Sequence, residues 1–261
     1  MIASFFQSLN SSSTEYLLIS GQATVLYGAA TFSEDIDLWV NPTAINAERF
    51  LTCLRLCKAR YYKLTPNWKL DFLLRGHGFH FLLPDPGREE VYLDVMGTPP
   101  RVNSFGDAAE AAQWLETDWG NVRVIGIREL IQLKKTQRLE DYPVIGRLAL
   151  RWLADLRPAP KEEDYRWAFE HIFTLPELQT LLEQHPLAAQ FLTDVAPRQV
   201  QHYVREFPTT SNETLEKGVA DWLQSRIADL QAADRLHWRG IIRELKQLRE
   251  GRELMPEGAT V

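Results

Sequence analysis

Only two cysteines occur in the 261 residues, Cys53 and Cys57, four positions apart. With no further cysteine and no histidine close by, that spacing excludes a disulfide framework and argues against a zinc site. The pair reads as two small apolar side chains on one helix face. An apolar run of the roughly 18 residues needed to span a bilayer is also missing. The opening MIASFFQSLNSSS carries no Lys or Arg ahead of an apolar stretch, so no secretory leader is expected. An excess of positive charge is lacking too: 29 Lys and Arg stand against 35 Asp and Glu, a formal net charge of −6. Residues 1–160 hold 17 basic and 18 acidic side chains, and residues 161–261 hold 12 and 17. A generally basic nucleic-acid binder is thereby excluded, although a local basic strip is not. No internal repeat and no low-complexity tract is present. What remains, 45% apolar and 25% charged, is the composition of a globular chain with a real core, and a cytoplasmic location is the default expectation.

The first half alternates strand-like and helix-like segments. Tyr16–Ser20 is a short apolar run that stops at Gly21, as a buried strand would, and residues 22–29 suit a short helix. Ile36–Val40 alternates and is rich in β-formers, with Asn41-Pro42 ending it. Thr43 can cap a helix running to about residue 58. Residues 78–83 and 90–96 read as strands joined by the turn Pro84-Asp85-Pro86-Gly87, and residues 122–125 as another. Helices are expected over Ile127–Leu139 and Tyr142–Leu156. Arg157–Asp164 is a linker candidate, and beyond it only helical periodicity is found, over 165–206 and 213–250. The expected architecture is an α+β domain over 1–156, a mixed sheet with flanking helices, then an all-helical domain over 165–261.

Asp35 and Asp37 carry the most chemistry. At i and i+2 on an expected strand their carboxylates point the same way. Two like charges so close are costly unless a proton or cation lies between them, and oxygen ligands suit Mg²⁺ or Mn²⁺. Ile36, Leu38 and Val40 take the opposite face. Asp94 sits between Leu93 and Val95 in another apolar strand, where a polar side chain needs a reason. On an adjacent strand it would complete a three-carboxylate site for two metals, an arrangement suited to phosphoryl or nucleotidyl transfer. Gly21, between strand and helix, fits a close backbone approach to phosphate. Trp39 shares the Asp35 and Asp37 face and would either stack on a base or cap the sheet edge. His77 and His80 flank a strand without a third ligand in view, and read as packing or surface histidines.

The sequence Gly21-Gln22-Ala23, then Tyr27-Gly28, then Ser33-Glu34-Asp35-Ile36-Asp37-Leu38, with Asp94 in a later strand, resembles the DNA polymerase β-type nucleotidyltransferase superfamily. Within it the chain looks most like the bacterial AbiEii-type (type IV toxin–antitoxin) nucleotidyltransferases, over roughly residues 15–156. The resemblance implies metal binding by Asp35, Asp37 and Asp94, and nucleotide binding by Gly21, Gln22 and Ser33. It further implies a downstream Lys…Arg…Asp helix, here Lys134 or Lys135 with Arg138 and Asp141, and an antitoxin protein as a partner. Two positions depart from the family: Gln22 replaces the usual Ser or Gly, and Thr31 the frequent Arg, both at phosphate-touching places.

Read as a helix, Ile127, Leu130, Ile131, Lys134, Arg138 and Asp141 fall on one stripe. Lys134 would then point inward to bind triphosphate, Lys135 toward solvent, and Arg138 and Asp141 would pair. The alternative is an intrahelical salt bridge with a snorkelling lysine. Farther on, Arg235, Arg239, Arg243 and Lys246 recur at i, i+4, i+8 and i+11, opposite Trp238, Ile241, Ile242, Leu245 and Leu248. That basic face is either solvated or a grip for RNA phosphate. The expected function is therefore Mg²⁺- or Mn²⁺-dependent transfer of a nucleotidyl group from an NTP to a hydroxyl, on an RNA such as tRNA or on a protein. Asp35, Asp37, Asp94 and Lys134 would be its catalytic residues. The alternatives are a catalytically degenerate nucleotide-binding module and an aminoglycoside-type adenylyltransferase.

Overall fold

A computed structural model describes residues 2–84, 90–192, 196–208 and 212–261. Among the described residues seven strands form one mixed sheet: β1 (Tyr16–Ile19), β2 (Ile36–Val40), β3 (Arg60–Tyr61), β4 (Gly78–Leu83), β5 (Val91–Met96), β6 (Gln113–Thr117) and β7 (Gly120–Val124). Their order is β3-β4-β5-β2-β1-β7-β6. The β2·β5 and β1·β7 pairs are parallel and the others antiparallel. The helices are α1 (Ile2–Ser11), α2 (Ser20–Leu26), α3 (Ala44–Leu56), α4 (Leu70–Leu74), α5 (Phe105–Ala111), α6 (Ile127–Leu133), α7 (Asp141–Asp155), α8 (Glu162–Glu170), α9 (Leu175–Gln184), α10 (Ala188–Leu192), α11 (Arg198–Glu206) and α12 (Glu213–Glu250). Among the described residues no helix is long and apolar enough to cross a membrane.

Local chemistry explains several boundaries. Thr43 caps α3 as its sequence suggests, its hydroxyl accepting from the Asn46 N–H, a contribution of about 1 kcal/mol. Cys53 and Cys57 are buried free thiols near the end of that helix. The strands at 78–83 and 91–96 lie where alternation put them, although the turn expected between them at Asp85–Gly87 falls outside the described residues. The expected strand at 122–125 is β7, which starts two residues earlier. Short elements without a periodic signature, including β3, α4 and β6, escaped sequence reading, because two to five residues are too few to establish a period.

The chain divides into two compact units that are not consecutive: Met1–Leu26, Ala30–Leu133 and His237–Val261 make one, and Tyr27–Ala29 with Lys134–Leu236 make the other. This division does not coincide with the linker expected at 157–164. In the sheet unit, strand faces explain the core: Leu17, Leu18, Ile36, Leu38, Phe79, Phe81, Leu93 and Val95 are all buried. The C-terminal residues join this unit by backbone pairing. Gly258 N–H donates to Tyr61 O and Tyr61 N–H to Ala259 O, each at 2.8 Å, while Val261 N–H reaches Ala59 O at 3.0 Å. The tail thus lies along β3 and covers an edge that would otherwise present unpaired backbone. His77, fully buried, donates from Nε2 to the Glu244 carboxylate at 2.8 Å, which fastens the last part of α12 to the start of β4. Arg75 pairs with the same carboxylate. Burial opposes ionisation of Glu244, but His77 and Arg75 outweigh it and hold its pKa below the ordinary value.

In the helical unit, Leu148, Leu153, Phe169, Leu178, Leu181, Val200 and Leu223 are buried. Tyr142 meets Phe173 edge to face at 5.2 Å. Gly146 allows the close passage of Glu177, whose Cγ would lie 2.7 Å from any added Cβ.

Candidate functional site: a carboxylate row under an apolar helix face

The strand register assembles a polar row. Asp37 of β2 is the partner of Asp94 on β5, and Asp94 is in turn the partner of His80 on β4. Residues in register on neighbouring strands share a face, so His80, Asp94 and Asp37 lie side by side, with Ile19 of β1 next in line. The intervening positions Phe79, Phe81, Leu93, Val95, Ile36 and Leu38 fill the opposite face. His80 donates from Nδ1 to Asp94 Oδ1 at 2.7 Å, and both side chains remain about a quarter exposed.

Asp35 immediately precedes β2, in phase with Asp37. Burial raises its pKa above the ordinary value, the negative charges of Asp94 and Glu34 raise it further, and Lys63 and His80 oppose them. Asp35 and Asp94 therefore feel one another although 59 positions separate them in sequence. Lys63, which the sequence did not single out, supplies positive charge to this locus while its ammonium lies 4.9 Å from the Tyr62 ring. Among the described residues no group of three or more His, Cys, Asp or Glu side chains is arranged to hold a metal ion. Carboxylate oxygens, which Asp37 and Asp94 offer from adjacent strands, are the donor type that a hard divalent cation takes.

Gly21, Gln22 and Ser33 come together, Gly21 by leaving room for Ser33 and Gln22 by bonding to it. Ser20 turns β1 into α2 with a left-handed φ of 56°. A Cβ on Gly21 would stand 2.2 Å from Ser33 Oγ, so only glycine admits Ser33 there. The Gln22 side-chain amide donates to Ser33 O at 2.7 Å. This contact secures the loop that leads through Glu34 into Asp35. Gln22 thus has a structural use.

The Lys134 region corrects an expectation. The helix expected over Ile127–Leu139 ends at Leu133, so Lys134, Arg138 and Asp141 do not share a helical stripe. Arg101 stops the helix by donating from Nε to Gln132 O at 3.0 Å, satisfying a carbonyl that a further turn would have used. Thr136 then holds the connection in a non-helical form: its hydroxyl donates to Asp141 Oδ2 at 2.6 Å and accepts from Arg138 N–H at 3.1 Å. The three residues nevertheless meet. Lys134 Nζ lies 2.9 Å from Asp141 Oδ1, both nearly buried, and Arg138 Nε lies 3.2 Å from Asp141 Oδ2. Burial opposes ionisation of Asp141, but the Lys134 charge, hydrogen bonds from Thr136 and Lys134, and Arg138 hold its pKa below the ordinary value. Lys135 is half-buried, with Nζ 3.2 Å from His171 Nε2, rather than directed to solvent.

Trp39 is likewise corrected. It is only 2% exposed, donates from its indole N–H to Gly97 O at 2.8 Å and meets Phe105 edge to face. Its strand is central in the sheet, so it neither stacks on a base nor caps an edge. On α12, Arg235, Arg239, Arg243 and Lys246 are all exposed. The opposite face of that helix reaches the carboxylate row: Trp238, Ile241, Ile242 and Leu245 line a cavity of about 190 Å³ together with Asp37, His80 and Asp94. The sequence reading took His80 for a packing or surface histidine and saw the apolar face of α12 without placing it beside the carboxylates. The alternation Phe79-His80-Phe81 was the available signal for His80, the same signal that marked Asp94 between Leu93 and Val95. No protein-family model matches the chain, and no curated protein does.

Proposed function

We propose that the protein is a metal-dependent nucleotidyltransferase, and that the sheet unit carries a nucleotidyltransferase-type fold. The observation that carries this reading is the placement of Asp37 and Asp94 as direct neighbours on parallel strands, with Asp35 electrostatically coupled to Asp94. Asp35, Asp37 and Asp94 would hold Mg²⁺ or Mn²⁺. Such an ion, when bound, lowers the pKa of an attacking hydroxyl and neutralises charge on a triphosphate. The chain's own contributions are distinct. Gly21, Gln22 and Ser33 hold the loop before Asp35 in place, Lys63 adds positive charge beside the carboxylates, and His80 fixes the orientation of Asp94. The acceptor would be a hydroxyl on RNA, gripped by Arg235, Arg239, Arg243 and Lys246, and an antitoxin protein would be the natural antagonist of a toxic transferase.

A second reading, a nucleotide-binding module without transfer, is favoured by the 2.7 Å bond that occupies one Asp94 oxygen. One experiment separates them. The protein is incubated with each labelled NTP, Mg²⁺ and total cell RNA. Label appearing in RNA or protein, and lost in Asp37→Asn, supports transfer. Saturable NTP binding with no labelled product supports the second reading.

A further inference from the structure

The part of α12 that covers the carboxylate row is fastened by a polar contact more than by packing. Trp238, Ile241 and Leu245 are only half-buried and Ile242 is 48% exposed, although all four line the cavity over Asp37 and Asp94. Side chains left this wet contribute only a fraction of what full burial would. Glu244, by contrast, takes the His77 Nε2–H at 2.8 Å and pairs with Arg75. His77 has no solvent exposure, and its Nδ1 has no hydrogen-bond partner among the described residues. A buried ring with one idle nitrogen makes a poor permanent clamp, since an apolar pair of similar shape would hold as well or better. Water entering on release would serve both ring nitrogens. The gap between fastened and released states is thereby kept small enough for a ligand to shift.

Two glycines bound the fastened segment. Gly240 lies inside α12, and among the described residues nothing stands within 4 Å of a Cβ added there, so packing does not demand a glycine. It weakens the helix relative to alanine and offers a place to bend. Gly251 follows the last turn, and Arg252 beyond it takes a left-handed φ of 57°. Farther on the tail is tied to the sheet unit: Leu254 bridges to Pro66, and Met255 N–H donates to Thr65 O at 2.9 Å. Residues 241–250 thus have a glycine at each end and an anchor beyond the second.

Size gives the segment a purpose. The cavity between it and the carboxylate row is about 190 Å³, and Asp37 and Asp94 both open into it. A benzene-sized ligand fills a cavity of about 150 Å³, whereas ligands with the bulk of a nucleoside triphosphate need about 300 Å³ or more. The fastened state leaves room for a hydrated ion beside the carboxylates and none for a nucleotide with its acceptor.

We propose that residues 241–250 of α12 are an autoinhibitory lid, latched by Glu244 to His77 and Arg75 and hinged at Gly240, which must lift off the carboxylate row before a substrate enters. Its use as a gate for transfer rests on the nucleotidyltransferase reading; the opening itself does not. A substrate that binds only the open state meets an apparent affinity reduced by the open fraction, so loosening the latch tightens binding.

Ile19 gives the readout. It pairs with Asp37 in the sheet, lines the cavity and is 5% exposed, so Ile19→Cys in the full chain offers a thiol that a maleimide reaches only when the lid is off. Labelling is followed by mass spectrometry at residue 19 and at Cys53, a buried thiol of α3. The rate at each follows the fraction of molecules open there. Glu244→Ala is expected to speed labelling at residue 19 by about tenfold or more, the loss of a hydrogen bond to a charged group. Arg75→Ala, at the surface, should speed it by roughly two- to fivefold. Gly240→Ala should slow it by about two- to fivefold, because alanine resists bending there. A residue-19 rate that Glu244→Ala leaves unchanged overturns the lid. So does a rise matched at Cys53, since Glu244 would then support the whole unit. An unchanged rate in Gly240→Ala overturns the hinge. Binding of Mn²⁺ with each NTP, and transfer of label, are measured in the same proteins. Faster labelling with tighter Mn²⁺-NTP binding in Glu244→Ala supports the gate. Faster labelling without NTP binding or transfer leaves the lid standing, and the transfer reading falls. Transfer that Asp37→Asn abolishes, with labelling at residue 19 indifferent to Glu244→Ala, leaves the transfer reading standing, and the lid falls.

Discussion

Asp141 sits among cations and Asp35 among anions. In the helical unit, Lys134, Arg138 and the Thr136 hydroxyl surround the Asp141 carboxylate, and its pKa falls despite burial. In the sheet unit, burial and the charges of Asp94 and Glu34 raise the pKa of Asp35 even with Lys63 and His80 nearby. The first arrangement is complete within the protein and lowers the folding free energy. The second costs stability when ionised and gains it back only when a proton or a cation arrives. Sites that bind ligands keep such unspent interaction, whereas structural ion pairs consume theirs. The contrast assigns the two clusters different work, although sequence reading had joined them in one site.

The largest effect expected is on stability, at the complete cluster. Lys134→Met leaves Asp141 buried without its main partner, and breaking a buried pair from one side costs about 3–5 kcal/mol. In calorimetry the Tm should drop by roughly 10 °C. Lys134→Met with Asp141→Leu should recover most of the loss, because an apolar replacement of both partners leaves no orphaned charge. A Lys134→Met protein as stable as wild type would break the comparison.

Next is Asp37→Asn, at the incomplete cluster. It should lower nucleotidyl transfer by about a hundredfold or more while the Tm stays level or rises, since one of several like charges is removed. A falling Tm with unchanged labelling of acceptor would show that Asp37 is structural after all.

Smaller still are the two pH responses, which run in opposite directions. Asp141 has a folded pKa below its unfolded one, so its contribution is present above the ordinary Asp range and lost as pH falls through the folded value. Asp35 has a folded pKa above its unfolded one, so its contribution is present below the ordinary range and lost as pH rises through the folded value. Tm measured against pH should therefore lose its acid-side decline in Asp141→Asn and part of its rise-side decline in Asp35→Asn. Mn²⁺ at neutral pH should raise the Tm of the wild type more than that of Asp35→Ala. Equal shifts would remove Asp35 from the site.

The smallest effect concerns affinity alone. Arg239→Glu with Arg243→Glu should flatten the salt dependence of RNA binding by one to two units of slope, at about 0.7 to 0.9 per phosphate contact. Transfer of label to water or to a small acceptor should stay as it was. An unchanged slope would leave the stripe as a solvated face.

Sequence alone determined what depends on neighbours. Period-two alternation located β2, β4 and β5 and set Asp37 and Asp94 on their polar faces, because side-chain direction in a strand follows from position parity. Thr43 announced α3, because a cap acts within one turn. Periodicity over 213–250 disclosed α12 with its basic and apolar faces. Tertiary structure decided everything that required knowing which segments meet. The register that puts His80 beside Asp94 and Asp94 beside Asp37 depends on strand pairing across the order β4-β5-β2, which no local pattern encodes. Arg101 ended α6 at Leu133 from 31 residues upstream, against a helical periodicity that continued to Asp141. Residues 237–261 returned to the sheet unit because Glu244, the tail backbone and the apolar face of α12 found partners there. Local propensity is summed over a few residues, whereas burial and hydrogen bonding between distant segments are settled only when the chain closes on itself.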